Sequence, residues 1–87
     1  MLIDVHAHFH HAGGPRADWA ERNASRLAAG ERIGVNWHVA SILGSWGKRS
    51  PVYFPSEADV RLGNDAMLAL QREQPTRVRS YVTVNPN

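Results

Sequence analysis

Cysteine is absent from the sequence, which excludes disulfides and thiolate metal sites as means of holding a small domain together. Lysine occurs once, and the nine arginines are scattered from Arg16 to Arg79, with no basic run longer than Lys48-Arg49. A concentrated basic face of the kind that grips nucleic acid is therefore not expected. No apolar stretch approaches the roughly 20 residues that a bilayer-crossing helix needs. The opening Met-Leu-Ile-Asp-Val-His has neither a basic leader nor a long apolar segment. A cytoplasmic chain without membrane or nucleic-acid partners is the expectation. What is present is ordinary for a folded domain: 43% hydrophobic and 21% charged residues, with a formal charge of +2. Eighty-seven residues allow one small domain, 1–87, and a chain of that size buries only about 60–65% of its unfolded surface.

Three short apolar runs alternate with two helix-like stretches, the β-α-β-α-β pattern of a parallel sheet. Leu2 to Phe9 is the first strand. Asp18 to Ala29 is the first helix, with Ala20, Ala24, Leu27 and Ala28 as its apolar stripe and Gly30 as its left-handed cap. Ile33 to Leu43 is the second strand, apolar on both parities as a strand covered on both faces should be. Residues 44–55 read as a loop. Ser56 with Asp59 signals a helix start, and the second helix runs to about Gln74, with a bend at Gly63-Asn64 and a stop at Pro75. Ala66, Met67 and Leu70 form its apolar face, with Leu62 one turn earlier. Val78 to Val84 is a third alternating strand. Right-handed crossovers would set the three strands in sequential parallel order, and an independent domain would cover the last edge, so the architecture reads as cut after strand three.

Asp4-Val5-His6-Ala7-His8 carries the chemistry. Strand alternation would put Asp4, His6 and His8 on one face and Ile3, Val5 and Ala7 on the helix-covered face. Two imidazoles at i and i+2 can grip one divalent ion, and zinc accepts imidazole readily. The end of a parallel strand is where such folds build ligand sites. A histidine-rich tract is also the pattern of a simple chelator, since His10-His11 extends it.

The segment I-D-V-H-A-H-F-H resembles the first strand of the amidohydrolase superfamily, whose members begin with D-x-H-x-H. It is more narrowly similar to the amidohydrolase-related family that includes aminocarboxymuconate-semialdehyde decarboxylase. Ile33-Gly34-Val35 resembles the opening of that family's second strand. Asn64-Asp65, Gln74-Pro75-Thr76-Arg77 and Tyr81-Val82-Thr83-Val84-Asn85-Pro86 resemble its helix-to-strand passage, so the likeness spans the chain in order. It implies the opening portion of a metal-dependent (β/α)8 TIM barrel, an α/β fold truncated here after strand three. It also implies His6 and His8 as metal ligands, zinc as the ion with manganese as the alternative, and a small-molecule substrate. The parent would be a hydrolase, in which metal-activated water attacks a C–N, ester or lactone carbonyl, or a non-oxidative decarboxylase. A homo-oligomeric parent is compatible with this.

The remaining ligands and the catalytic base belong to later strands of that family. The 87-residue segment alone is thus expected to be inactive, with no catalytic residue of its own. Asp4 is expected either as an outer hydrogen-bond acceptor that orients a ligand histidine or as a buried hydrogen-bond partner of the barrel backbone. His10, Trp46 and Asn85 are candidates for the substrate pocket, with Lys48 and Arg49 on the same loop as Trp46. His11 is placed on the loop after the first strand, His38 as a satisfied core histidine, and Trp19 and Trp37 as packing residues. The rival readings are a small non-enzymatic metal-binding or interaction module and a non-functional gene fragment.

Overall fold

The computed structural model describes residues 1–14, 16–42 and 57–84. The order is β1 (Leu2–His8), α1 (Trp19–Ile33), β2 (Val35–Ser41), α2 (Glu57–Glu73) and β3 (Val78–Ser80). The strands form one parallel sheet in the order β1-β2-β3, as the alternating pattern predicts. Among the described residues no helix is long and apolar enough to cross a membrane.

Both helices cover the same face of the sheet. His38 of β2 lies under Gly30 of α1, Ile42 under Gly63 of α2, and Ser80 donates its hydroxyl to Met67 O of α2 at 3.2 Å. Ala7, Phe9, Leu27, Ala40, Ile42, Met67 and Val78 make the core, with Ala66 and Leu70 packed against it. Burying a side chain such as Met67, 1% exposed, stabilises the fold by about 1.5–3 kcal/mol. The other face, which carries His6, His8, Val39, Ser41 and Tyr81, has no helix on it among the described residues. Ile3, Val5, Tyr81 and Val82 are exposed there or at the strand margins.

Several details depart from the sequence reading, each for a local reason. Gly30 does not end α1; the helix continues to Ile33, and Gly34 caps it at φ 84° with its N–H on Glu31 O. Gly30 is glycine for a different cause, since a Cβ there would lie 2.6 Å from Cε1 and Nε2 of His38. The buried stripe of α1 is Asn23, Leu27 and Gly30, whereas Ala20, Ala24 and Ala28 are exposed. Ile33 belongs to α1 and not to β2. α2 runs unbroken through Gly63-Asn64 and buries Asp59, Val60, Gly63 and Met67, leaving Leu62 at its margin. The ladder of β3 stops at Ser80, although the Tyr81 N–H still reaches Ala40 O at 2.8 Å. Val82 and Val84 are exposed, so the expected strand to Val84 is shortened. Ser56 lies outside the described residues.

His38 is in the core as expected, but it is not satisfied. It is 2% exposed, and neither ring nitrogen has a hydrogen-bond partner among the described residues. Its ring meets Phe9 edge-on, centroids 6.1 Å apart. Burial pushes its pKa below the ordinary imidazole value, against the attraction of Asp4, and the Arg77 and Arg26 charges push it further down. His10 and His11 are lowered too, again chiefly by burial. A lowered folded pKa means that the unfolded chain binds more protons just below about pH 6.5. Stability is then fully present above that pH and falls as pH drops through the window toward the folded values. His38→Leu, which removes two orphaned nitrogens, is expected to be neutral or stabilising by about 1 kcal/mol and to flatten the acid limb. Urea midpoints at pH 7.5 and 5 measure both effects.

Candidate metal centre

His6 and His8 project from the end of β1 onto the helix-free face. Their Nε2 atoms converge to 3.2 Å, with the rings edge to face at 5.0 Å between centroids and 79° between planes. Two bare imidazole nitrogens cannot rest at that separation, because their lone pairs repel. Either one nitrogen carries a proton or a cation lies between them. The spacing suits both: it falls within hydrogen-bond range, and two nitrogens bound to one tetrahedral zinc at about 2.0–2.1 Å stand roughly 3.3 Å apart.

The surroundings of His8 accommodate a metal-ready tautomer. Its Nδ1 lies 3.3 Å from Ser41 O and 3.2 Å from Ser41 Oγ. An Nδ1–H that donates to this carbonyl leaves Nε2 bare and pointed at His6, the usual way in which an outer partner fixes a metal-binding imidazole. Ser41 drew no attention in the sequence. Its only signal is register, as the ladder pairs His8 with Ser41. The donor set fits a borderline divalent ion. It amounts to two ligands, and among the described residues no group of three or more histidine, cysteine, aspartate or glutamate side chains could hold a metal.

Asp4 is not on this face. The ladder pairs Asp4 with His38 and then Ala7 with Ala40, three steps along β1 against two along β2. This bulge reverses the alternation. Asp4 thereby falls in register with the helix-facing His38 and lines a cavity of about 400 Å³ beside α1, with Ser25, Arg26 and Gly30. The expected single face of Asp4, His6 and His8 thus holds for the two histidines alone. Asp4 instead accepts the His6 N–H on Oδ1 at 3.1 Å, a contact with backbone and not with an imidazole.

His10 lines the same cavity, whose wall includes neither His6 nor His8. Its backbone is held by Asn23, which accepts the His10 N–H at 2.8 Å and donates to His10 O at 2.9 Å. Asn64 of α2 does the same for Thr83 beyond β3, at 2.9 and 2.8 Å. In both cases a helix amide replaces the ladder partner that the chain loses where a strand ends. His11 is buried beside Gly13 and Gly14 and feels the charge of Asp59. Trp37 packs under the Arg79 guanidinium, 4.3 Å from its ring centroid, and Trp19 borders a small cavity between α1 and α2. Trp46, Lys48, Arg49 and Asn85 lie outside the described residues.

No family model, curated protein or solved structure matches the chain.

Proposed function

We propose that this chain supplies the first-strand ligands of a metal-dependent hydrolase or decarboxylase of the amidohydrolase type, built on a (β/α)8 barrel. The convergence of His6 Nε2 and His8 Nε2 at 3.2 Å carries the reading, supported by the Ser41 carbonyl, which can accept the Nδ1–H of His8 and so leave its Nε2 bare. A three-stranded parallel sheet with both helices on one face is also what a β-α-β-α-β stretch of such a barrel would form. A divalent ion, zinc first and manganese second, would be held by these two imidazoles and by further ligands from residues beyond this pair.

When bound, such an ion supplies Lewis acidity at a substrate carbonyl or carboxylate. With an ion between them, His6 and His8 would both turn Nε2 lone pairs toward it, and the Ser41 carbonyl is placed to accept the His8 proton on Nδ1. In such a barrel the helix-free face would be the interior, and a small-molecule substrate would approach from the C-terminal ends of the strands, where His8 ends β1. The base would come from later strands; of the substrate-pocket candidates, His10 lines the cavity beside α1, and Trp46 and Asn85 lie outside the described residues.

The test is turnover of ester, lactone or carboxylate substrates by the protein that carries this segment. Activity is expected to vanish on chelation, return with zinc or manganese, and be lost in His6→Ala. Turnover indifferent to both treatments would overturn the reading. Because the described ligands number only two, a plain chelating module is the second reading. It predicts stoichiometric zinc uptake with no turnover by that protein.

A further inference from the structure

The peptide unit joining Val5 to His6 sits inside the β1 bulge, where the ladder with β2 is interrupted. Both of its polar groups have found side chains instead. Its N–H, from His6, donates to Asp4 Oδ1 at 3.1 Å, and its carbonyl, from Val5, accepts the Tyr81 hydroxyl at 3.2 Å. Tyr81 follows β3, so this hydroxyl passes over β2 to reach β1 and links the two outer strands across the helix-free face.

We propose that Asp4 and Tyr81 are positioning residues, which clamp the Val5–His6 peptide from both ends and thereby aim the His6 ring at His8. Among the described residues the only hydrogen-bond contact of the His6 ring is His8 Nε2, and the residue is exposed. No packing therefore fixes its direction; the backbone from which it springs does. A bulge can re-aim a side chain, and here one carboxylate and one phenol hold the peptide that it frees. His8 is served differently, through its own ring and Ser41. The two ligands are thus oriented by separate devices that meet at one point.

The inference rests on the metal reading for its consequence, but not for its geometry. The test therefore takes two readouts on the 87-residue chain, with Zn2+ alone as probe: the Zn2+ dissociation constant, and hydrogen exchange of the His6 amide. Tyr81→Phe and Asp4→Ala are each expected to weaken Zn2+ binding about tenfold, the lower range for loss of an outer partner of a metal site, and to speed His6 amide exchange by a similar factor. The His10 amide, held by Asn23, should not change. Asp4→Asn keeps an acceptor oxygen and is expected to remain within about threefold of wild type in both readouts. A lower melting temperature in Tyr81→Phe and Asp4→Ala, with exchange and affinity unmoved, would make both residues merely structural and overturn the clamp. If Asp4→Asn lost as much as Asp4→Ala, the acceptor role of Asp4 would be overturned. Should the wild-type chain take up no Zn2+, the two imidazoles do not hold the ion unaided, and His6 amide exchange in the three variants still decides the clamp.

Discussion

His8→Ala is expected to weaken zinc binding by more than the roughly 100-fold that loss of an outer partner can cause, and His6→Ala to do the same. Among the described residues, each replacement deletes one of only two direct nitrogen donors on the face that carries them, and no other histidine there lies on that face. His10 and His11 follow β1 in sequence, but the first lines the cavity beside α1 and the second is buried near Asp59. His10→Ala and His11→Ala should therefore leave zinc affinity within about threefold of wild type, well short of the roughly tenfold lower bound for outer partners. Calorimetric titration of the four variants, with circular dichroism to establish that each is folded, measures the contrast. A histidine tract acting as a loose chelator would instead lose affinity in small, similar steps at all four positions.

Gly30→Ala is expected to destabilise the fold by about 1–3 kcal/mol, the range for overpacking a filled core. At an exposed helix position the same change would add about 1 kcal/mol of helix propensity, so the sign itself is diagnostic. The added methyl would sit 2.6 Å from two atoms of the His38 ring, so the ring or the helix must shift. Small domains have only a few kcal/mol in hand, so much of the stability should go. Adding His38→Ala to Gly30→Ala removes the obstacle and is expected to recover a large part of the loss, a coupling that a double-mutant cycle reads directly. By contrast, Gly34→Ala meets no atoms but must hold φ 84°, a strain of roughly 1 kcal/mol, with no coupling to His38. Urea midpoints of these variants decide between close approach and chain flexibility as the reason for each glycine.

The strand–helix alternation was legible because hydrophobic periodicity marks elements strongly, and the sequential sheet order followed from connection rules. The convergence of His6 and His8 was legible for the same reason, as a two-residue spacing along a strand. What the sequence hid was the bulge between Asp4 and Ala7. No glycine or proline marks it, so strict alternation carried Asp4 to the wrong face. The cap of α1 was misplaced because two glycines four residues apart, Gly30 and Gly34, both look like terminators. Only the position of His38 on the neighbouring strand shows that the first serves contact and the second conformation. Ser41 and Tyr81 were invisible because their roles depend on register and on reach across β2, neither of which leaves a local pattern.

The central claim is that His6 and His8 bind one ion together through Nε2. Imidazole 15N spectra of the 87-residue chain, recorded as zinc is added, test it most directly. The account predicts that one equivalent of zinc moves the Nε2 resonances of His6 and His8 in step, keeps the His8 proton on Nδ1, and leaves His10, His11 and His38 where they were. Zinc that shifts His10 or His11 first, or moves only one of the pair, would contradict it.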